Sequence, residues 1–312
     1  MADIRKVATR QSYGEALVEL GAAHDDFVVL DADLAAATQT GKFKAAYPDR
    51  FIDVGVAEQN LMGVAAGIAT TGHRVFASTF AMFAAGRAFE QVRNSIGYPH
   101  LHVVIGATHA GMSVGEDGAT HQCNEDLALM RAIPGMTVIV PADDVEAKAA
   151  VRAAYEAEGP VYVRLGRLPV PVIHKDDYHF ELGRGIVERE GSDVTVVACG
   201  LEVSAALEAA KTLAAKGVSC EVINMATIKP LDGDLIVASA RKTRRVVTVE
   251  EHSVIGGLGS AVCDLLCEAC PTPVKKIGVN DVFGESGPAL NLLAKYGLDG
   301  AGVAEAIEGF VR

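Results

Sequence analysis

The segment at residues 106–122 combines side chains suited to acid–base and hydrogen-bonding chemistry with glycines that let the backbone turn sharply. It contains His109, Asp117 and His121, and it follows an apolar run typical of a β-strand. A long polar loop at the carboxyl end of a strand is where open α/β sheets place ligands. The spacing of the histidines matches neither a zinc finger nor an H-E-x-x-H helix, so metal ligation is the weaker interpretation.

Three further segments carry side chains suited to chemistry, and each also has a plainer structural interpretation. Glu58 stands where a strand runs into a helix, and a carboxylate there complements the helix dipole. Phe80 and Phe83 lie three residues apart, a spacing that suits one helix face in a packed core. Arg164 and Arg167 end an apolar strand; arginine binds phosphate in a bidentate manner but also solvates surfaces.

The composition is that of a packed globular protein. Half of the 312 residues are hydrophobic, 22% are charged, and the 32 glycines suit tight turns between strands and helices. A net charge of −12 disfavours binding to nucleic acid. The N-terminus is charged and lacks the apolar core of a signal peptide, and no uncharged apolar run could cross a bilayer. We therefore expect no nucleic acid and no membrane as partners, and a cytoplasmic location.

Strand-like apolar runs alternate with helical periodicity along nearly the whole chain, which predicts an α/β fold of two doubly wound domains with mostly parallel sheets. The predicted strands are residues 27–31, 51–55, 74–78, 101–106, 136–140 and 161–165, followed by 194–199, 220–224, 246–250 and 274–279. Helices are predicted at 58–70 and 145–156, the second starting at Asp143 and Asp144. A proline-rich break predicts a first domain at 1–170, a linker at 171–185 and a second domain at 186–312.

Two motifs in the second predicted domain favour packing over ligand binding. Cys263, Cys267 and Cys270 have the C-x3-C-x2-C spacing of iron–sulfur radical enzymes, but they also share the helix face that we expect to be buried against a sheet. The turn from Gly256 to Gly259 could bind an anion at a helix start, yet it lacks the dinucleotide fingerprint. We therefore predict core cysteines and close helix–strand packing.

These segments together resemble the transketolase family. The strings G-V-A-E-Q-N around Glu58, S-T-F-A-M-F ending at Phe83 and above all G-E-D-G-A-T-H-Q around Asp117 are similar to its pyrimidine-binding domain. I-K-P-L-D, ending at Asp232, and V-E-E-H-S-V-I-G-G-L-G-S, which contains His252, resemble its C-terminal domain. The resemblance covers essentially the whole chain and implies a transferase that moves a two-carbon ketol unit from a ketose to an aldose.

The resemblance also implies thiamine diphosphate as the cofactor. Glu58 matches the glutamate that shares a proton with the cofactor's aminopyrimidine ring, a role that favours burial of the carboxyl group. Phe80 and Phe83 match the aromatic residues that stack on that ring, worth about 0.5–1.5 kcal/mol each beyond area burial. Asp33 resembles a residue near the subunit interface and the thiazolium ring.

On the substrate side, His109, Asp117 and His121 match transketolase residues that contact sugar hydroxyls and assist proton transfer. Arg10 and Arg167 match positions that clamp the phosphate of a sugar phosphate.

Two positions depart from the family pattern. The family often has a tyrosine where this chain has Gly86, so one wall of the pyrimidine pocket is missing or comes from elsewhere. A serine that contacts phosphate falls near Ala37, with Thr38 beside it, which leaves the phosphate end of the site open.

The family holds the cofactor's diphosphate through a divalent metal and a G-D-G motif that is followed by asparagine, and the sequence contains no such element. The resemblance therefore implies that Mg²⁺ or Ca²⁺ is held by a separate N-terminal transketolase subunit, with no metal ligands here. It further implies an α2β2 heterotetramer, sugar phosphates of pentose phosphate metabolism as substrates, and an inactive isolated chain.

Three alternatives stay open. A deoxyxylulose-phosphate synthase shares the D-G-x-T-H-Q string, although the histidine at position 109 favours transketolase. The β subunit of a 2-oxo-acid dehydrogenase is divided in the same way but usually lacks that string. A non-catalytic regulatory subunit could keep the fold, but the joint presence of Glu58, His109 and His121 argues against it.

Overall fold

The computed structural model describes residues 5–312, so the first four residues of the predicted first domain lie outside it. A seven-stranded sheet and a five-stranded sheet dominate the fold, and a two-stranded ribbon accompanies them. The ribbon consists of β1 (Lys6–Ala8) and β8 (Pro169–Pro171). It brings the start of the chain beside the segment that leaves the larger sheet.

The larger sheet has the strand order β12-β6-β7-β5-β4-β2-β3. Its strands are β2 (Phe27–Asp31), β3 (Phe51–Asp53), β4 (Arg74–Phe80), β5 (Val103–Thr108), β6 (Thr137–Ile139), β7 (Val161–Arg164) and β12 (Thr227–Lys229). Six of these strands run parallel, and the edge strand β12 is antiparallel. The carboxyl ends of the six parallel strands therefore share one edge.

The smaller sheet has the order β14-β13-β10-β11-β9. Its strands are β9 (Ile186–Arg189), β10 (Val194–Ala198), β11 (Cys220–Asn224), β13 (Val246–Ser253) and β14 (Val274–Val279). All of them are parallel except β9, which pairs antiparallel with β11.

Twelve α-helices connect and cover the sheets in the described part of the chain. They are α1 (Thr9–Ala23), α2 (Ala35–Thr38), α3 (Gly41–Ala46), α4 (Glu58–Ala69), α5 (Phe89–Gln91), α6 (Asp126–Arg131), α7 (Asp144–Glu156), α8 (Glu202–Ala214), α9 (Gly233–Thr243), α10 (Leu258–Ala269), α11 (Ala289–Lys295) and α12 (Gly300–Val311). Within residues 5–312, no helix has both the length and the apolar character needed to span a bilayer.

The predicted α/β class and mostly parallel sheets are confirmed. Strands β2, β11 and β14 have the predicted bounds, and each contains valine or isoleucine residues, which favour strands. Helix α7 begins as predicted, with the Asp143 carboxylate accepting a hydrogen bond from the backbone N–H of Glu146 at 2.9 Å. The short strands β1, β8, β9 and β12 were not predicted, since three or four residues are too few for a periodic signal.

Strand β12 joins the larger sheet although it lies within the second predicted domain. It pairs with β6, and Ile228 belongs to the same buried cluster as Val138 and Val140 of the larger sheet and Ile223 and Met225 of the smaller one. The two sheets therefore share part of one apolar core. The domain boundaries at 170 and 186 stay a prediction.

The prediction that the three clustered cysteines belong to the core is wrong. Cys267 is exposed, and Cys263 and Cys270 are only half-buried. Helix α10 buries a neighbouring face, made by Leu258, Ala261, Val262 and Leu266. The cysteines share a face, as the spacing requires, but the larger aliphatic side chains decide which face turns inward.

The glycine turn that precedes α10 packs closely on strand β13, as predicted. Glu250 of that strand is buried, and its carboxylate accepts hydrogen bonds from the backbone N–H groups of Leu258 (2.7 Å) and Gly259 (2.8 Å). A β-carbon at Gly257 would overlap the same carboxylate. The carboxylate of Glu250 therefore occupies the position at the start of α10 where an anion could otherwise bind.

A buried histidine fixes the segment between the two sheets. The ring of His174 lies between two carboxylates, with Nδ1 at 3.1 Å from Asp143 and Nε2 at 2.9 Å from Glu188, and its side chain is 4% exposed. Burial by itself lowers the pKa of His174, but the hydrogen bonds to Asp143 and Glu188 outweigh it and raise the pKa to about 10. The imidazolium is therefore the native form at neutral pH.

The stabilisation by His174 should depend on pH. A histidine whose pKa is raised by folding stabilises fully below its unfolded pKa of about 6.5, and this contribution disappears as the pH rises through about 10. We expect His174→Gln to lower the free energy of unfolding by roughly 2 kcal/mol at about pH 6, and by progressively less towards pH 10. Denaturant unfolding at several pH values measures this.

His179→Gln is the matched control, because His179 lies in the same segment and is exposed. It should change the unfolding free energy by less than about 0.5 kcal/mol. A His174→Gln effect that stays constant from pH 6 to pH 10 would show that the ring is held by packing rather than by charge.

Candidate active site

The residues predicted to do chemistry follow the carboxyl ends of neighbouring parallel strands. Asp33 follows β2, Glu58 follows β3, Phe80 ends β4, His109 follows β5 and Arg167 follows β7. Because these five strands are adjacent and parallel, their carboxyl ends meet at one edge of the sheet. Sequence positions far apart are thereby brought to one cleft.

Glu58 is the first residue of α4 and is only 3% exposed. One of its carboxylate oxygens, Oε2, accepts a hydrogen bond from the guanidinium of Arg87 at 3.2 Å. The Arg87 guanidinium also lies 5.0 Å from the centre of the Phe83 ring. The carboxyl group, the guanidinium and the aromatic ring thus form one contiguous group of side chains.

Two phenylalanines and two histidines form an aromatic cluster, which consists of Phe80, Phe83, His109 and His121. The rings of Phe80 and Phe83 are stacked, with centroids 5.9 Å apart and an angle of 13°. Phe80 also stacks on His109 at 3.9 Å, and His121 meets the edge of Phe83 at 5.4 Å. The prediction that the phenylalanines share a helix face is wrong, since Phe80 ends β4 and Phe83 lies in the π-helical turn Met82–Arg87.

The space left by Gly86 is filled from within the same turn. A β-carbon at Gly86 would overlap the terminal methyl of Met82. The flexible thioether of methionine therefore lies where a larger side chain would otherwise stand. This supplies an apolar surface beside Phe83 without a third aromatic ring.

His109 is neutral in this environment and has a defined tautomer. It is 3% exposed, and burial, followed by the charges of Arg10, Arg167 and His121, lowers the pKa of His109 to about 3. Its Nε2 faces the guanidinium of Arg10 at 3.5 Å, and its Nδ1 lies 2.9 Å from the hydroxyl of Thr108. Arginine can only donate, so Nε2 accepts and Nδ1 carries the proton that it donates to Thr108.

Arg10 is held by the segment that departs from the family pattern. Its guanidinium donates to the backbone carbonyl of Ala37 at 2.7 Å. The neighbouring Thr38 cannot supply a hydroxyl to the site, because it is buried and donates to the carboxylate of Asp31 at 2.7 Å. Ala37 in helix α2 therefore contributes a main-chain oxygen that orients Arg10. It does not supply a side-chain hydroxyl.

Arg167 and Arg10 line the same cleft, which has a volume of about 540 Å³. Arg167 donates to Glu116 at 2.8 Å and to the backbone carbonyl of Val114. Burial and the charge of Arg167 lower the pKa of Arg10, since the two guanidinium groups face the same space. An anion bound between them would relieve this repulsion. Helix α11 of the second half closes the cleft through Ala289.

Arg164 does not accompany Arg167 in the cleft. It is 4% exposed and donates to the buried carboxylate of Asp126 at 2.8 Å. It also donates to the backbone carbonyl of Glu251 at 3.1 Å. Its guanidinium is committed to the contact between the two sheets and is not available to a ligand.

Asp33 and Asp117 are exposed at the rim. Asp33 adopts a left-handed conformation (φ 62°), and its backbone N–H donates to Asp53 at 3.0 Å. Asp117 ends the 3-10 turn Met112–Asp117. Among the described residues, neither carboxylate bonds directly to the aromatic cluster. Their predicted contacts with ligand and interface stay predictions.

Sequence reasoning missed three residues that hold the site in place, namely Arg87, Ser113 and Glu251. Arg87 directly follows Gly86, the position that differs from the family pattern, so it lies next to a segment already identified from the sequence. Ser113 and Glu251 meet only through the tertiary fold, across the two halves of the chain. In residues 5–312, no group of three or more histidine, cysteine, aspartate or glutamate side chains is arranged to hold a metal ion.

The neutral state of His109 can be tested directly. With a pKa near 3, its imidazole should not titrate between about pH 5 and pH 8, and Nδ1 should keep its proton. Nitrogen-15 NMR of the histidine rings measures this, and His109→Asn identifies the signal by its loss. Arg10→Met should raise the midpoint, because it removes a neighbouring positive charge. A signal with a midpoint between about 6 and 7 would contradict the assignment.

Comparison with known proteins places this geometry in a family. The family model described as "Transketolase, pyrimidine binding domain" matches residues 5–172, and "Transketolase, C-terminal domain" matches residues 183–303. A protein of Methanocaldococcus jannaschii, provisionally named transketolase C-terminal section, is 50% identical over 96% of this chain and 94% of its own length.

Two further proteins are similar over nearly their full length. The 6-deoxy-6-sulfo-D-fructose transketolase subunit of a Clostridium species is 43% identical over 95% of this chain and 92% of its own length. A solved structure described as a split gene transketolase, inactive beta4 tetramer, superposes with a TM-score of 0.89 at 56% identity, over 97% of each chain. With both family models and these relatives in agreement, the chain belongs to the transketolase family and comprises its pyrimidine-binding and C-terminal domains.

Proposed function

We propose that this chain is the C-terminal subunit of a thiamine-diphosphate-dependent transketolase, which moves a two-carbon ketol unit from a ketose phosphate to an aldose phosphate. The observation that carries the proposal is the buried Glu58 carboxyl group beside the stacked rings of Phe80 and Phe83. When bound, thiamine diphosphate supplies the nucleophilic thiazolium carbon that accepts the ketol unit.

The residues present fit the aminopyrimidine end of that cofactor. Glu58 would hold a proton against the ring nitrogen, and its burial keeps water away from that hydrogen bond. Phe80 and Phe83 offer a flat apolar surface for the ring. Because Arg87 is 54% exposed at its side chain, it can move away from the carboxylate as the ring approaches.

The opposite side of the site fits a sugar with an anionic end. In the proposed complex His109 presents a neutral imidazole whose Nε2 accepts a hydrogen bond from a sugar hydroxyl, once Arg10, its present donor at 3.5 Å, turns to the anionic end of the sugar. Arg10 and Arg167 provide two guanidinium groups to one cleft, which suits a phosphate or sulfonate. The similar subunit named for 6-deoxy-6-sulfo-D-fructose has a substrate with such an end group. Asp117 and His121 would contact the remaining hydroxyls.

A separate N-terminal subunit would complete the enzyme by holding Mg²⁺ or Ca²⁺ and the cofactor's diphosphate. Support comes from the length match to relatives named as a subunit and as a C-terminal section. The similar solved protein is described as an inactive β4 tetramer, which is the behaviour expected of such a subunit without its partner. We propose an α2β2 assembly, with Asp33 near the subunit interface.

The division of labour within the chain is also part of the proposal. Residues 1–170 would form the pyrimidine-binding domain and residues 186–312 the C-terminal domain, with a linker between them. All six cysteines are free thiols, which suits a location in the reducing cytoplasm. The enzyme would act in pentose phosphate metabolism or in a related sugar pathway.

The proton-sharing role of Glu58 is tested by Glu58→Gln in the complex with the N-terminal subunit. We expect ketol transfer to fall by at least about 100-fold, since the amide cannot exchange a proton with the cofactor. Calorimetric titration of thiamine diphosphate with Mg²⁺ shows in parallel whether binding persists. Glu90→Gln is the matched control, because Glu90 is an exposed acid on the nearby helix α5.

Two outcomes would contradict the proposal. One is full activity of the Glu58→Gln complex. The other is ketol transfer by this chain alone with thiamine diphosphate and Mg²⁺, which would show that no partner is needed.

The anion cleft is tested by Arg167→Met. Loss of one charge-assisted contact should raise the KM for a ketose phosphate by roughly 10- to 100-fold and change kcat less. The matching unphosphorylated ketose is the internal control, and its kcat/KM should stay unchanged. Equal losses for both sugars would place the phosphate elsewhere. A sulfonated ketose tested beside the phosphate shows which anion the cleft prefers.

A further inference from the structure

The loop that carries His109, Asp117 and His121 has a backbone that is difficult to hold in place. Gly111, Gly115 and Gly118 all have positive φ angles of 76° to 81°. Glycine populates such conformations easily but loses more conformational freedom on folding than other residues. External contacts must therefore fix the loop.

The second half of the chain supplies two of these contacts through Glu251, which lies on β13. Its Oε2 accepts a hydrogen bond from the backbone N–H of Ser113 at 2.9 Å, and its Oε1 accepts from the Ser113 hydroxyl at 3.2 Å. Both residues are buried, Ser113 at 1% and Glu251 at 6% exposure. A β-carbon at Gly111 would lie 2.5 Å from the same carboxylate. The Glu251 carboxylate therefore packs against the loop at Gly111 and Ser113.

Charged groups from several elements surround the Glu251 carboxyl group. The Arg164 guanidinium of β7 lies 3.9 Å from its Oε1, and Asp126 of α6 adds negative charge nearby. Glu202 of α8 also interacts with Glu251, and burial raises the pKa of Glu202 well above its usual range. Burial raises the pKa of Glu251 to about 7, opposed by Arg164 and by the hydrogen bonds from Ser113. Since Arg164 is already bonded to Asp126, the Ser113 contacts are the closest polar contacts of the Glu251 side chain.

We propose that Glu251 is a positioning residue for ketol transfer: through Ser113 it holds the substrate loop so that His109 and Asp117 face the sugar. Ser113 lies four residues along the chain from each of them. This inference rests on the proposed function for its kinetic consequence but not for its structural one. The C-terminal domain thereby takes part in the active site through Glu251 as well as through helix α11, which lines the cleft.

Glu202 provides a matched comparison. It is also a fully buried glutamate of the second half, yet neither of its carboxylate oxygens has a hydrogen-bond partner among the described residues. Replacing either glutamate by alanine removes the same atoms from a buried place. Only replacement of Glu251 removes contacts with the loop.

Hydrogen exchange of the full chain tests the contact independently of catalysis. Glu251→Ala should increase exchange of the amides at 110–118 by about tenfold or more, whereas Glu202→Ala should leave that segment as in the wild type. Glu251→Gln should restore most of the protection, because the amide oxygen can accept from the Ser113 N–H and the amide nitrogen can donate to its hydroxyl. Gly111→Ala provides the same loosening from the loop side, should Glu251→Ala fail to fold.

Kinetics of the complex with the N-terminal subunit test the consequence. Glu251→Ala should raise the KM for the ketose phosphate and lower kcat, together about 100-fold in kcat/KM, because small displacements of the loop misplace its groups. Glu251→Gln and Glu202→Ala should stay within about threefold of the wild type.

The outcomes distinguish the proposed transketolase function from the proposed role of Glu251. Absence of ketol transfer by the wild-type complex would refute the proposed function, while the exchange experiment would still decide whether Glu251 holds the loop. An active wild-type complex in which both alanine variants behave alike would overturn the inference. So would unchanged loop exchange in Glu251→Ala, or a Glu251→Gln variant as loose as the alanine variant.

Discussion

The whole site depends on the parallel pairing of five strands. Parallel pairing places every carboxyl end at the same edge, so β2, β3, β4, β5 and β7 each deliver the next residues of the chain to one cleft. The burial of these strands in turn requires helices on both faces, which the alternating sequence provides. The sheet fixes the backbone position of a residue that follows such a strand. The side chains packed around that residue then determine its chemical environment.

That environment is specified mainly by the pairing of buried charges. Burying an ionised group without a partner costs several kcal/mol, and buried charged groups such as Arg164 and Asp126 are joined to one another or to main-chain groups. Arg164 bonds to Asp126 and to the carbonyl of Glu251, and Glu250 closes the start of α10. The bond from Arg164 to the carbonyl of Glu251 connects the larger sheet to the smaller one. The same strand, β13, thus provides both Glu250 for its own helix and Glu251 for the neighbouring loop.

The pair of Glu58 and Arg87 joins a buried acid to a guanidinium group that is partly exposed. In this chain the buried carboxylate is satisfied by a guanidinium that is itself half in solvent. The guanidinium also lies 5.0 Å from the centre of the Phe83 ring, so it contacts both the acid and the aromatic surface. In the proposed function, the pyrimidine ring of the cofactor would take the place of both contacts.

Much of the fold was predictable from sequence because its signals are local. Strands rich in valine and isoleucine, such as β2 and β11, are recognised without knowledge of their neighbours, and the capping acid Asp143 acts within three residues. The places of Glu58, Phe80 and His109 after strands were also predictable, since a strand's end and its polar successor are adjacent in sequence. The inward face of α10 was not, because two apolar faces compete and the packing partner decides between them.

What only the tertiary structure decided are contacts between segments far apart in sequence. The addition of β12 to the larger sheet joins residues separated by nearly ninety positions, and Ser113 meets Glu251 across 138. No short-range pattern encodes such pairs, because their energy exists only once both backbones are in place. By itself the sequence determined most of the longer strands and which residues follow them. The three-dimensional packing determined which charges meet, and therefore that His109 is neutral, that Arg164 is structural and that Arg167 faces the cleft.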